Sequence, residues 1–357
     1  MKYISTRNQE KEYDFREVFI KGLADDGGLF VPKLIPKLSE KELIKLSNLS
    51  YKDLAKEIIY IFCEGTISKE KLSTIVEKSY STFSKKNVVE IASIGENKLL
   101  ELFYGPTYSF KDIAMQFIGQ LYDHYLKDIK KKINIIVATS GDTGSAAIDA
   151  IKGKEKMNIF VLHPLDRVSL VQRKLMTTVK EKNVFNIAIN GNFDDCQNLV
   201  KSLFGDHKFS NSINMSAVNS INWVRIVAQS VYYFFTYFKI NKRINFSVPT
   251  GNFGDVYAGY ISKKMGLPIG KLIVATNQND ILHRAISSGN YEAREVKETI
   301  SPSMDIQVAS NFERLIYDIE DQNSEKTKNI MISIKNNNKY EINEQSLQRI
   351  RENFSSE

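Results

Sequence analysis

Three short segments combine glycine, hydroxyl and lysine residues in patterns that could bind an anion or form a covalent bond. The segment Gly251-Asn252-Phe253-Gly254-Asp255 follows an apolar strand pattern at 244–248. Its two glycines let backbone N–H groups converge, and the start of a helix adds a favourable dipole. Because neither Gly-Lys-Ser/Thr nor G-x-G-x-x-G is present, the pattern predicts a site for a single phosphate group. The alternative is a plain strand-to-helix turn with Asp255 near the helix cap.

The second segment, 139–144, supplies several hydroxyl groups at the start of a predicted helix. It follows a continuous apolar run at 133–138 and includes Thr139, Ser140, Asp142 and Thr143. These hydroxyls and the free N–H groups of a helix start would solvate a carboxylate or phosphate. The alternative is ordinary N-capping by Asp142 or Thr143.

The third segment places Lys111 after a Gly-Pro turn, Ser109 and an aromatic residue, where a helix pattern begins. A positive charge is locally unfavourable at a helix N-terminus. We therefore predict a lowered pKa for this lysine, which suits covalent bonding to a carbonyl compound. Position alone, however, favours an exposed lysine paired with Asp112.

A fourth segment, 219–225, could bring an arginine to an anion. Asn219 and Ser220 precede an amphipathic helix that holds the sole tryptophan, and Arg225 lies one turn in. A guanidinium there could reach an anion at the helix start. The alternative is a capped helix with a solvent-facing arginine.

Alternating strand and helix patterns must position these segments. We predict strands at 98–103, 133–138, 158–162, 184–189, 244–248 and 272–275, with helices at 113–126, 143–151, 168–179, 194–204, 221–238 and 255–265. Such alternation implies parallel βαβ units with helices on both faces of the sheets, and ligands at the carboxyl ends of the strands. We expect residues 1–92 to be mostly helical with loops. Residues 318–357 are expected to form a polar tail without a closing element.

Composition narrows the class of protein. The 357 residues carry 49 basic and 42 acidic side chains, a net charge of +7. The only dense basic run, Lys130 to Lys132, predicts a solvated turn, so we expect no nucleic-acid partner. Two distant cysteines and the lack of an apolar leader or membrane-spanning stretch predict a cytoplasmic protein without a membrane partner. The four histidines lack metal-ligand spacing, so no metal is expected.

Taken in order along the chain, these segments and several others resemble one family. The further motifs are Tyr3-Ile4-Ser5-Thr6-Arg7, Asp26-Gly27-Gly28-Leu29-Phe30-Val31-Pro32, Glu101-Leu102-Phe103-Tyr104-Gly105-Pro106-Thr107, Ser109-Phe110-Lys111-Asp112, Gly191-Asn192-Phe193-Asp194-Asp195-Cys196-Gln197, Asn219-Ser220-Ile221-Asn222-Trp223, Pro249-Thr250-Gly251-Asn252-Phe253-Gly254 and Ser301-Pro302-Ser303-Met304-Asp305-Ile306-Gln307. Over residues 1–317 the sequence resembles threonine synthase, a family of fold type II enzymes that depend on pyridoxal 5′-phosphate (PLP). The resemblance implies an α/β fold of parallel sheets flanked by helices.

The resemblance also implies domains and site residues. Residues 93–111 and 240–317 would form a large PLP-binding domain, and residues 112–239 would form a smaller α/β subdomain. The polar tail 318–357 would stand where the family normally continues with a C-terminal part, which would be missing. Lys111 would be the catalytic Schiff-base lysine, and Asp142 would lie near the ring hydroxyl of the cofactor. The cofactor phosphate would be bound by Gly251, Asn252, Phe253, Gly254 and Asp255. Substrate contacts would come from Ser109, Thr139, Ser140, Thr143, Asn219, Ser220 and Arg225.

The implied reaction is that of a lyase which converts O-phospho-L-homoserine and water into L-threonine and phosphate, the last step of threonine biosynthesis. Two alternatives stay open: a PLP-dependent phospholyase or deaminating lyase of the same fold, and a truncated, non-catalytic PLP-binding relative. A nucleotide-binding transferase is disfavoured because no Lys-Ser/Thr follows Gly254. The oligomeric state cannot be deduced from these patterns.

Overall fold

The computed structural model describes residues 1–127, 132–216 and 218–357, apart from the side chains of Asp194 and His207. Up to residue 101 the elements are β1 Tyr3–Ser5, β2 Asn8–Tyr13, α1 Phe15–Lys21, β3 Phe30–Pro32, α2 Glu40–Ser47, α3 Tyr51–Cys63, α4 Lys69–Ser79, β4 Glu90–Ile94 and β5 Asn97–Glu101. Up to residue 216 they are α5 Lys111–Leu126, β6 Ile133–Ala138, α6 Asp142–Ile151, β7 Met157–Pro164, α7 Leu170–Thr177, β8 Val184–Ile189, α8 Phe193–Gly205, α9 His207–Ser212 and β9 Met215–Ser216. The remaining elements are α10 Trp223–Ile240, β10 Phe246–Pro249, α11 Gly254–Lys264, β11 Leu272–Ala275, α12 Ile281–Ser288, β12 Asn290–Glu292, a 3₁₀ turn Pro302–Met304, α13 Phe312–Ile319, α14 Ser324–Asn337, β13 Lys339–Glu341, α15 Glu344–Asn353 and β14 Phe354–Ser356.

The chain forms two compact units. Unit 1 comprises Met1–Leu49, Glu57–Thr66 and Ser220–Glu357, and unit 2 comprises Ser50–Lys56 and Ile67–Asn219. These units do not follow the domain boundaries given above, since 93–111 belongs to unit 2 and α10 belongs to unit 1. The assignment of a PLP-binding domain and a smaller subdomain therefore stays a prediction about function.

Unit 2 is built on a parallel sheet with the strand order β8-β7-β6-β9. Strands β6 and β8 have the bounds that the sequence predicts, because both are apolar runs framed by turn residues. Parallel neighbours require crossover helices, and α6 and α7 follow β6 and β7 in the chain. The carboxyl end of β6 leads directly into the loop 139–141.

Unit 1 contains a second parallel sheet, with the order β10-β11-β14. The outer strand β14 belongs to the segment that we expected to be a polar tail, and that expectation is wrong. Helix α14 buries Thr327, Ile330 and Ile334 at helical spacing, and α15 buries Leu347 and Ile350. The few apolar residues of this segment thus recur every three or four positions, which suffices for amphipathic helices. Parallel sheets flanked by helices confirm the predicted fold class.

The N-terminal region contains α1 to α4, as predicted, and also an antiparallel sheet with the order β2-β1-β3. This sheet was not predicted from the sequence. Strand β2 is polar and exposed along all but its last residue, so it shows no alternation of apolar and polar positions.

Some expectations concern residues outside the described chain. Lys130 and Lys131 of the basic run lie there, as does the side chain of His207. Within the described ranges, no helix has the length and apolar character needed to cross a membrane.

Candidate active site

Lys111 is the first residue of α5 and is 8% exposed. Its Nζ lies 3.0 Å from Oδ2 of Asp142 and 4.7 Å from the centroid of the Phe110 ring. The alternative of an exposed lysine paired with Asp112 is therefore wrong. The carboxylate and the ring face both stabilise an ammonium group that has lost most of its water, so these contacts work against the lowered pKa that the position at a helix start predicts.

Asp112 instead organises the loop before the lysine. Its carboxylate accepts hydrogen bonds from the amide and the hydroxyl of Thr107, at 2.8 and 2.7 Å. Gly105 permits this approach, because a Cβ there would lie 2.4 Å from Cβ of Asp112. Burial raises the pKa of Asp112 to about 6, against the opposing effect of the Thr107 hydrogen bonds. Ser109, also buried, accepts a 3.3 Å bond from the amide of Lys111.

The loop 139–144 is shaped by its own hydroxyl groups. Thr139 is buried, and its Oγ1 accepts hydrogen bonds from the amides of Gly141 and Gly144, each at 2.9 Å. Helix α6 starts at Asp142 without a side-chain cap, so the N-capping alternative does not hold for this residue. Ser140 and Thr143 are half-buried. The predicted substrate contacts of these three hydroxyl residues stay predictions.

In unit 1, the loop between β10 and α11 has the properties of an anion cradle. Among the described residues, the amides of Gly251, Asn252, Phe253 and Gly254 have no hydrogen-bond acceptor. Phe253 adopts a left-handed conformation with φ 64°, and its buried ring is anchored against Phe312. Unbonded amides at a helix N-terminus favour a negatively charged group.

Asp255 follows the cradle but points its carboxylate elsewhere. Oδ1 accepts a 3.0 Å hydrogen bond from the Tyr233 hydroxyl and another from the Tyr232 hydroxyl. Both tyrosines are on α10, so this carboxylate ties α10 to α11. The predicted contact of Asp255 with the cofactor phosphate stays a prediction.

The cradle is held from behind by two buried residues of unit 1. Asn311 donates from Nδ2 to the carbonyls of Asn252 and Ser220, at 3.0 and 3.2 Å. Arg314 in turn donates to Oδ1 of Asn311 and, at 2.6 Å, to the carbonyl of Ile221. The loops 220–222 and 250–254 are thereby fixed to α13.

Arg225 lies within the first turn of α10, whose N-cap is Asn222. It is 3% exposed, and its Nε has no hydrogen-bond partner in the described part of the chain. Burial lowers its pKa to about 10, an effect that Tyr232 and Asp255 partly offset. The alternative of a solvent-facing arginine is wrong. A buried guanidinium with an unused donor indicates an anion site.

Ser220 is half-buried and belongs to unit 1, whereas Asn219 is exposed and is the last residue of unit 2. Within the described chain, no cluster of three or more histidine, cysteine, aspartate or glutamate side chains has metal-binding geometry.

Comparisons with known proteins agree with this chemistry. The profile described as "Threonine synthase N terminus" matches residues 2–80, and that of "Pyridoxal-phosphate dependent enzyme" matches residues 99–331. Threonine synthase from Pseudomonas aeruginosa is 44% identical over 360 residues, which cover 100% of this chain and 77% of that protein. The chain belongs to the threonine synthase family. It is therefore a member of the PLP-dependent lyases.

Solved threonine synthases have the same fold. The PLP-bound enzyme from Brucella melitensis superposes with a TM-score of 0.95 at 43% identity, covering 100% of this chain and 78% of that one. The yeast enzyme gives a TM-score of 0.93 at 41% identity, with 100% and 76% coverage. The chain thus spans about three-quarters of the length of these threonine synthases.

Three residues that shape the candidate site were not predicted from the sequence. They are Asn311 and Arg314, described above, and Gln172, whose side-chain amide donates a hydrogen bond to Asp142. Asn311 and Arg314 are polar residues three apart among the mostly apolar buried residues of α13 and its N-cap, which is a usable signal for a buried network. Gln172 carries no such signal, because α7 is largely exposed.

Proposed function

We propose that the chain converts O-phospho-L-homoserine and water into L-threonine and phosphate with PLP as cofactor. The observation that carries the proposal is the buried Lys111, held by Asp142 at the start of α5. Membership of the threonine synthase family supports it independently.

The residues fit PLP by their chemistry. Lys111 has a primary amine that could bond to the cofactor aldehyde, and the unbonded amides of residues 251–254 would accept its phosphate. Asp142 would lie near the ring hydroxyl. Bound PLP would supply an electron sink for the substrate carbons.

Lys111 would also handle protons during the reaction. As a free amine, Nζ could take protons from the α and β carbons of the substrate and return protons to the α and γ carbons, while phosphate leaves the γ carbon and water adds its hydroxyl at the β carbon. Asp142 would keep Nζ oriented and favour its charged form, because Oδ2 is already at hydrogen-bond distance.

Arg225, Ser220 and Asn219 would hold the phosphate of the substrate. A guanidinium without a hydrogen-bond partner at Nε gains more from an incoming dianion than a paired one, since no internal bond has to be broken. The same charge would stabilise phosphate as it leaves the γ carbon. Ser109, Thr139, Ser140 and Thr143 are proposed to contact the rest of the substrate.

A cytoplasmic location forms part of the proposal. Cys63 and Cys196 are both free and buried, which suits a reducing compartment.

Product analysis tests the reaction. We expect purified chain, PLP and O-phospho-L-homoserine to release threonine and phosphate in equal amounts, and Lys111→Ala to release neither. A 2-oxo acid with ammonia and no threonine would instead establish the phospholyase alternative. PLP binding without any product would establish the non-catalytic alternative.

A further inference from the structure

Gln172 connects the lysine–carboxylate pair to a third helix of unit 2. Its Nε2 donates a hydrogen bond to Oδ1 of Asp142, while Oδ2 of the same carboxylate faces Nζ of Lys111. The two oxygens of Asp142 thus have different partners: Oδ1 accepts from the neutral side-chain amide of Gln172, and Oδ2 faces the ammonium group of Lys111.

The start of α7 fixes the amide of Gln172. Ser169 is the N-cap of this helix. Its Oγ accepts a 3.3 Å hydrogen bond from the backbone amide of Gln172 and donates a 2.9 Å hydrogen bond to the side-chain Oε1 of the same residue. A Ser-x-x-Gln start often forms a reciprocal capping box, in which the glutamine returns to the cap backbone. Here the side-chain amide of Gln172 instead donates to Asp142. The start of α7 thus orients Asp142, a residue of helix α6.

Gly141 leaves room for this amide. A Cβ on Gly141 would lie 2.2 Å from Oε1 of Gln172, and its φ of 138° is one that residues with a side chain rarely adopt. A side chain at position 141 would therefore collide with Gln172 in its observed position.

We propose that Gln172 is a positioning residue that fixes the carboxylate of Asp142 toward Nζ of Lys111 and so sets the protonation of Lys111. The protonation effect follows from orientation, because the hydrogen bond at Oδ1 restrains the carboxylate with Oδ2 toward the lysine. The relevance to catalysis rests on the proposed function.

Other charged groups of the surrounding helices are engaged elsewhere. Asp112 on α5 accepts from Thr107, and Asp149 on α6 accepts from Gln116 and Lys152. On α7, Arg173 pairs with Asp166, and Lys174 is exposed. These groups are present in every variant below, so differences between variants report the change at Gln172.

Two substitutions of Gln172 are expected to shift the pH at which Lys111 loses its proton in opposite directions. Gln172→Ala removes this restraint on the Asp142 carboxylate, so Lys111 should lose its proton at lower pH. Gln172→Glu is of similar size but adds a second carboxylate, so Lys111 should keep its proton to higher pH. A merely structural role of Gln172 would move both variants in the same direction.

The experiment is acetylation of Lys111 by acetic anhydride as a function of pH, followed by peptide mass spectrometry on the full chain freed of PLP with hydroxylamine. We expect the half-maximal pH to fall by about one unit in Gln172→Ala and to rise in Gln172→Glu. Ser169→Ala, which removes both hydrogen bonds of Oγ to Gln172 but leaves the side chain of Gln172 in place, should shift it in the direction of Gln172→Ala by less. Gln116→Glu is the matched control, since Gln116 donates to Asp149 at 2.8 Å, and it should have a much smaller effect.

A second readout separates this inference from the proposed function. We expect Gln172→Ala to weaken PLP binding about tenfold, measured from the absorbance of the lysine-bound cofactor. If the wild-type chain shows no PLP absorbance that depends on Lys111, the proposed function fails, while acetylation still decides the role of Gln172. Unchanged acetylation profiles in both Gln172 variants, or shifts of the same sign, would overturn the inference.

Discussion

Lys111 and Arg225 are both cations removed from water, but only Lys111 has a carboxylate at hydrogen-bond distance. The desolvation cost of Lys111 is thus offset within the chain, whereas that of Arg225 is offset only in part, by the charge of Asp255. An incompletely compensated buried charge lowers the stability of the free protein and is retained where it binds a ligand.

Replacing Arg225 by methionine should therefore stabilise the free chain while it weakens anion binding. We expect the unfolding free energy without added anion to rise by roughly 1–3 kcal/mol. Added phosphate should stabilise the wild type more than the variant, which keeps only the amides of residues 251–254 for an anion. Urea unfolding with and without phosphate measures both effects.

Arg243→Met is the control for this substitution, because Arg243 is exposed and should change the unfolding free energy by less than about 0.5 kcal/mol. A variant Arg225→Met that is less stable than the wild type without anion would show that Arg225 supports the fold instead.

Asp112 gives a prediction about pH. Its pKa is raised from 3.8 to about 6 by burial, so the folded chain binds a proton that the unfolded chain has already lost. The stability that this proton contributes is fully present below about pH 4 and disappears as the pH rises through 6. Asparagine does not titrate, so its contribution to stability does not change with pH. The unfolding free energy of Asp112→Asn relative to the wild type should therefore rise by roughly 2–3 kcal/mol between pH 4 and pH 7. A pH-independent difference in unfolding free energy would contradict the raised pKa.

The sequence predicts which residues do chemistry better than it predicts their partners. Lys111 follows from its motif, but its carboxylate partner lies 31 residues away and meets it only after α5, β6 and α6 have packed. Asp112 is adjacent in sequence, yet consecutive helical residues point in different directions, which is why the local pairing is wrong.

At the scale of elements, sequence patterns found the strands that are buried and continuous. Strand β11 has the predicted bounds, whereas β14 was missed because Phe354–Ser356 contains one apolar residue. Its pairing with β11 joins residues about eighty positions apart, which no local pattern encodes.

Strand β14 supports the anion cradle through Phe354. Its ring is buried, 5.5 Å from the ring of Phe253 and 5.3 Å from that of Tyr260. We expect Phe354→Ala to lower the unfolding free energy by about 3–5 kcal/mol and to weaken PLP binding, because Phe253 loses part of the packing that holds its left-handed backbone. Denaturant unfolding and a PLP titration measure the two effects.

Phe354→Leu keeps most of the apolar volume, so its losses of unfolding free energy and of PLP affinity should both be smaller than those of Phe354→Ala. Phe185→Ala in unit 2 is the control, since its ring is 42% exposed. PLP binding that is unaffected in both Phe354 variants would show that β14 does not support the cradle.

At the scale of the whole molecule, the alternation of strands and helices suffices for the fold class, and the motifs in order suffice for the family. The compact units are less accessible to prediction. Unit 1 combines the first 49 residues with the last 138, because Arg7 pairs with Glu313 at 2.7 Å and Arg314 donates to the carbonyl of Phe30. Such long-range polar contacts leave no periodic trace in the sequence.

One lysine among many, Lys111, is expected to bond to the cofactor, and reductive trapping identifies it. The full chain is incubated with PLP, treated with borohydride, digested and analysed by mass spectrometry. We predict that the adduct lies on the peptide containing Lys111 and is absent from that position in Lys111→Ala, whose other lysines react no more than in the wild type. An unmodified Lys111 peptide, with adducts spread over exposed lysines, would contradict the account.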